Sequence, residues 1–287
     1  SAGERCCLAG RLFSVRACIS YPGLIFIPLF PCTLAPKSTC ALKKILLFIP
    51  GFFFFTFHSL AQFSVLGADA FGRANSLVAV PGFSSIYQNP GGLGEITAGF
   101  LAFHYLKILP VEGFHTTGVQ GVFTGKWLNY GFCADSFGDR HYRESRAGLA
   151  LAGNRDHVSV GLKMSYAGAH PAGAGTRKTL TGDAGMVVTP VPALTLGLCL
   201  FNFTSAGFYS REPVTLAVGA ALRADQKVQL SAQMDYRTGH RAVVRFGLHY
   251  QVREQLGFSA GIDPEMRRVH FGARVLAGRY GFYYSIA

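Results

Sequence analysis

From residue 96 to residue 287 apolar side chains alternate with small or polar ones, and no pattern in this chain narrows its possible folds more. In 157–166 one face carries Val158, Val160, Leu162, Met164 and Tyr166; the other carries His157, Ser159, Gly161, Lys163 and Ser165. The split recurs as Leu194, Leu196, Leu198 and Leu200 against Thr195, Gly197 and Cys199. It recurs again as Val228, Leu230, Ala232, Met234 and Tyr236 against Gln229, Ser231, Gln233 and Asp235. Segments 244–250, 269–275 and 280–286 repeat it. A period of two means strands, and nothing helical breaks the series.

Alternation suits a soluble sandwich as well as a membrane barrel, so other features must decide. The alternating segments run to about 8–12 residues, close to the ~9–11 that a tilted membrane strand needs. Tyr130, Tyr166, Tyr236, Tyr250 and Tyr284 recur at strand ends on the apolar face, as an interfacial girdle would place them. Only 15% of the chain is charged although 49% is hydrophobic. Interleaving apolar with small and polar residues reconciles those figures without a long apolar run. The reading is an all-β transmembrane antiparallel β-barrel.

Thirteen segments are legible: 96–104, 113–124, 126–137, 142–152, 156–168, 178–188, 193–203, 213–222, 226–237, 241–251, 255–262, 267–277 and 279–287. Bacterial single-chain barrels have even strand numbers, so the expectation is about 14 strands with the last one missing after Ser285-Ile286-Ala287.

The first 95 residues read differently. Lys43 and Lys44 precede an apolar run, Ile45 to Phe57, and Ser59-Leu60-Ala61 supplies a small-x-small site. That run would span about 20 Å as a helix, too short for a membrane crossing. Residues 42–61 are therefore expected to be an export signal cleaved after Ala61. No Met precedes Met164, so translation is expected to begin at Leu42, with 1–41 as upstream read-through. Residues 62–95 alternate poorly, and Asn89-Pro90-Gly91-Gly92-Leu93 reads as a turn that stops a short helix. This segment is expected to fold into the barrel mouth as a hatch or plug, with 96–287 forming the barrel; a periplasmic tail is the other reading.

There is no Gly-x-Ser-x-Gly elbow, and Gly173-Ala174-Gly175-Thr176-Arg177-Lys178 lacks the spacing of a phosphate-binding loop. A hydrolase of membrane lipids would need Ser and His on adjacent outward positions, and the strand histidines mostly face inward; no enzymatic activity is expected. Five of the seven cysteines precede residue 62, leaving Cys133 and Cys199 at inward positions. With no CxxC pair and no His/Cys cluster, neither a metal nor a cofactor is expected. Residues 62–287 carry 21 basic and 14 acidic groups, and no clustered basic stripe points to nucleic acid.

The inward face is richer. Arg146, Lys163, Arg245, His249, His270 and Arg274 share it with Asp135, Asp235 and Asp263. Such a lumen holds an anionic head group or fills itself with ion pairs. Inward glycines (Gly131, Gly148, Gly161, Gly197, Gly247, Gly272) leave room for long side chains or for the plug.

The stretch from Gly67-Ala68-Asp69-Ala70-Phe71-Gly72-Arg73-Ala74-Asn75 through Tyr87-Gln88-Asn89-Pro90-Gly91-Gly92-Leu93-Gly94 resembles a known opening. It is similar to the N-terminal region of the PorV/PorQ-like branch of the FadL outer-membrane barrel superfamily in Bacteroidota. Phe137-Gly138-Asp139, Arg143-Glu144-Ser145-Arg146 and Thr189-Pro190 resemble later pieces of uncharacterised members. Gly91 departs from the pattern, where Ala is usual. The resemblance implies a 14-stranded barrel with an N-terminal hatch in the cell outer membrane, in contact with its lipid. It implies either passage of a hydrophobic or amphipathic small molecule or an accessory role in type IX secretion with exported protein cargo. A structural barrel with neither role remains a third reading.

Overall fold

The computed structural model describes residues 67–107, 114–173, 175–204, 206–207 and 213–287, the last pair before 213 by backbone alone. The chain divides into units Ser1–Ala61 and Gln62–Ala287, and only the second contains described residues. The upstream segment, the export signal and residues 62–66 thus lie outside them.

Strands follow one another in chain order as an antiparallel meander. They are β1 (Phe100–Leu106), β2 (Thr116–Phe123), β3 (Asn129–Gly138), β4 (Tyr142–Arg155), β5 (Val158–Pro171), β6 (Arg177–Val191) and β7 (Leu194–Phe201). After the two-residue β8 (Ala206–Gly207) come β9 (Thr215–Arg223), β10 (Val228–Arg237), β11 (Val243–Arg253), β12 (Leu256–Asp263), β13 (Arg268–Ala277) and β14 (Tyr280–Ile286). Each pairs with its neighbours, except that β7 pairs directly with β9 while β8 pairs with β6. The path therefore holds thirteen strands, one for each alternating segment. The main displacement is at β1, expected from residue 96 and found from Phe100: a 3-10 helix runs to Glu95, and residues 96–99 lead out of it before pairing begins.

The alternation sorts the two faces as expected. Leu149, Leu151, Val160, Leu162, Met164 and Tyr166 are exposed, whereas Ser159, Lys163 and Ser165 between them are buried. A protein that turns its leucines outward and its lysine and serines inward is built for an apolar surround. The connections agree with this. Four at one end have only two residues (156–157, 192–193, 254–255, 278–279), and those at the other end are longer. Short turns mark the periplasmic end of outer-membrane barrels and longer loops the extracellular end.

Ahead of β1 lie α1 (Ala68–Gly72), α2 (Ser85–Gln88) and a 3-10 helix at Pro90–Glu95. Asn89 ends α2 as expected: its backbone turns extended, and its side-chain oxygen caps the 3-10 helix at the Gly91 N–H, 2.9 Å away. This one segment touches β3 through Asn129, β5 through Lys163, β6 and β7 through Asn89, β10 through Gln229 and β13 through His270. Only a sheet curled around the segment can meet it from so many strands. Between β14 and β1 no pairing occurs among the described residues. The Phe83 ring stands there instead, stacked on Phe100 of β1 at 5.3 Å and on Tyr283 of β14 at 5.1 Å.

Candidate functional site

Residues 67–95 rest on glycines. A Cβ at Gly161 would strike the Pro90 carbonyl, one at Gly197 the Val78 carbonyl, and one at Gly247 the Ser76 hydroxyl. At Gly272 the nearest atoms include Gly72 Cα, and at Gly131 the tips of Leu93 and Ile86. Five of the six inward glycines singled out from the sequence thus clear space for the segment's backbone or side chains. Gly148 differs, since its neighbours are Ser165 and Cys133 of the wall itself.

Side-chain hydrogen bonds then hold the segment in register. Asn89 Nδ2 donates to the carbonyls of Val78 (2.7 Å), Met186 (3.0 Å) and Leu198 (3.3 Å). Asn129 Nδ2 does the same for Leu93 (2.7 Å) and Ile96 (2.8 Å). The Val78 N–H donates to Gln233 Oε1 at 2.8 Å, and Ser76 Oγ meets Ser231 Oγ at 2.9 Å. Tyr87 Oη donates to Asp135 Oδ1 at 2.8 Å, and His104 Nε2 lies 3.1 Å from the same oxygen. The segment lacks regular partners for its backbone, and buried amides must find some; wall Asn and Gln residues supply them.

All seven lumen candidates lie on the inward face, but the structure does not bring them into one constellation. Lys163 pairs with Asp183 at 2.9 Å and donates to the Ile86 carbonyl at 3.1 Å. Arg245 is shared between Asp235 and Asp263, the latter at 3.1 Å. Arg274 donates to Gln251 Oε1, which also accepts from His249 Nε2 at 3.2 Å. His270 meets the edge of Phe71 with ring centroids 4.7 Å apart. Arg146 stands opposite Asp135 in the β3–β4 register. Ion pairs and contacts with residues 67–95 account for most of this set. Of the other motif residues, Leu93 and Pro90 are buried, and Ser159 Oγ donates to the Gly91 carbonyl.

Sequence reasoning missed Asp183, His104, Gln233 and Asn129. Asp183 was within reach, because it shares the inward parity of Thr179 and Thr181. The two amides share the inward parity as well, but parity does not show that their partners are backbone groups of a segment without periodicity. Cys133 and Cys199 are buried and free. No group of three or more metal-ligating side chains occurs among the described residues.

Outside the lumen, an apolar concavity of about 1100 Å³ opens on the outward face of β4–β7. Leu151, Val160, Leu162, Met186, Leu198 and Leu200 line it.

No protein-family model and no curated protein matches the chain. Solved structures do. A FadL homologue of Pseudomonas aeruginosa superposes with a TM-score of 0.50 at 10% identity, covering 77% of this chain and 88% of the other. The CymD monoaromatic hydrocarbon channel gives 0.57 at 10% identity over 78% of this chain and 93% of its own. The fold is that of the FadL-like barrels. The Pseudomonas putida toluene transporter TodX agrees, with 0.52 at 10% identity over 74% and 89%. At such identity the likeness carries the fold alone, and the inward residues described above belong to this chain's own chemistry.

Proposed function

We propose that this FadL-like barrel sits in the outer membrane and binds or passes a hydrophobic or amphipathic small molecule, with residues 67–95 as its removable plug. The observation that carries this reading is how the segment is held: backbone on glycines, amide side chains to backbone groups, and no covalent tie among the described residues. The seat has an apolar part, with Leu77, Ile86 and Leu93 packed among Val122, Ala150 and Ala152, and a polar part whose hydrogen bonds can be exchanged for water on release. The fold likeness to a toluene transporter and a hydrocarbon channel supports the ligand class. The apolar concavity on β4–β7 is a surface where such a molecule can rest on the lipid side. Placement in the PorV/PorQ-like branch rests on the opening motif.

Ser76 and Ser231 offer the test, since their hydroxyls are 2.9 Å apart and join segment to wall. Ser76→Cys with Ser231→Cys would lock the segment by a disulfide. Uptake of a hydrophobic probe into proteoliposomes is expected to fall on oxidation and recover on reduction. Unchanged uptake in the locked form removes the plug role. A stoichiometric exported protein on the native barrel, without a lipid-sized adduct, would replace this reading with the type IX accessory.

A further inference from the structure

Strands β4, β5 and β6 have 14, 14 and 15 residues, more than the ~9–11 needed to cross. The excess stands above the apolar belt, and its outward face is cationic. From Val158 to Tyr166 the outward column is apolar. Eight residues at about 3.3 Å and a tilt of about 40° rise roughly 20 Å, most of a ~25 Å belt. One step above Tyr166 on this face, Gly168 stands opposite Lys178. One step higher again, His170 stands opposite Arg143. By the same geometry these two steps lie about 5 and 10 Å beyond Tyr166, at the depth of lipid head groups.

Arg143, His170 and Lys178 are all exposed, and none makes an ion pair among the described residues. His170 Nδ1 is 3.1 Å from Thr176 Oγ1, which holds its ring beside the β5–β6 turn. At the opposite end of the same strands Arg155 and His157 flank Asp156, and at this end the β3–β4 turn holds Asp139 beside Arg140 and His141. Arg143 and Lys178, with the imidazole of His170 on the strand between them, face away from the lumen directly above a lipid-facing column and meet neither a translocated ligand nor bulk solvent first. They meet the outer head-group layer.

We propose that Arg143, His170 and Lys178 form a binding surface for the phosphorylated head group of an outer-leaflet lipid. The guanidinium offers a bidentate fork to phosphate and Lys178 a point charge. The lipid's acyl chains then lie along Tyr166, Met164 and Leu149.

This proposal rests on the outer-membrane reading, and its test separates the two. The full-length barrel is extracted from its own membranes after density fractionation, and bound phosphorylated glycolipid is counted by native mass spectrometry. Wild type and the control Lys227→Gln, at the short-turn end, are expected to retain it through detergent exchange. Arg143→Gln with Lys178→Gln is expected to retain on the order of tenfold less. Wild type offered the same lipid stripped of phosphate is expected to bind as weakly as the variant. Equal retention by variant and wild type, or equal binding of the dephosphorylated lipid, overturns the site while leaving the outer-membrane reading intact. Recovery of the barrel from a different membrane fraction overturns both. An acidic protein seated there in place of lipid overturns the site alone.

Discussion

Lys163 Nζ stands 2.9 Å from Asp183 Oδ2 across the β5–β6 ladder and donates at 3.1 Å to the Ile86 carbonyl. One ammonium thus joins two wall strands to the N-terminal segment, with both side chains of the pair buried. Lys163→Ala strands a buried carboxylate and should cost about 3–5 kcal/mol. Lys163→Met combined with Asp183→Leu should cost clearly less, because no charge is left alone. Urea midpoints of the barrel refolded in detergent would decide; a single variant as stable as wild type would refute the pair's role.

Asn89 is the segment's most connected side chain, with three carbonyl acceptors and the Gly91 N–H. Asn89→Ala should destabilise by about 1–3 kcal/mol. Asn89→Asp should be worse, since it aims a carboxylate oxygen where Nδ2 now donates to carbonyls. Limited proteolysis within 67–95 measures this directly, and the expected order of cleavage rates is Asp, then Ala, then wild type.

Gly161 and Gly197 face backbone atoms of Pro90 and Val78, which cannot swing aside as a side-chain tip can. Gly161→Ala and Gly197→Ala should each loosen the segment by about 1–3 kcal/mol through overpacking. Gly175→Ala, at a position open to solvent, should change nothing. Hydrogen exchange over 67–95 is the readout, with the strands as internal reference.

Trp127 is the chain's single tryptophan, exposed in the β2–β3 connection with Lys126 Nζ 5.4 Å from its ring centroid. Phe123 and Tyr130 lie outward on the flanking strands. Tryptophan favours the interfacial layer, so its emission should be quenched by lipids brominated near the glycerol level. Lipids brominated at the chain ends should quench it less. Quenching only by an aqueous agent would place this loop away from the membrane.

Asp139 caps the β3–β4 turn, accepting the N–H groups of His141 at 2.8 Å and Tyr142 at 2.9 Å. The Tyr142 and His141 amides hold its carboxyl below the ordinary carboxylate value. A carboxylate with a lowered value in the fold adds stability that is fully present above the unfolded value. That contribution is lost as pH falls through the lowered one. Exchange of the Tyr142 amide should therefore quicken in acid below the ordinary Asp range, and Asp139→Asn should abolish that dependence while keeping the acceptor.

Strand number and facing were legible because a β-strand converts sequence parity directly into inside and outside. Lys163, Arg245 and His270 could be placed in the lumen from their neighbours alone, and so could the free cysteines. Segment ends were less legible where turn chemistry intervened, as before Phe100. Partner choice was not legible at all. Whether Lys163 meets Asp183, or Arg245 lies between Asp235 and Asp263, depends on which residues stand opposite across the ladder. Parity says nothing about register between strands.

The amino-acid sequence by itself determined a thirteen-strand antiparallel path, its lipid face and its polar face, because alternation is a local property repeated in every strand. Only the tertiary structure decided that residues 67–95 lie along the inward glycines and that Phe83 fills the interval between β1 and β14. Those contacts join residues far apart in the chain, and the segment making them has no period of its own. Its seat is shaped by the glycines and amides of the wall around it.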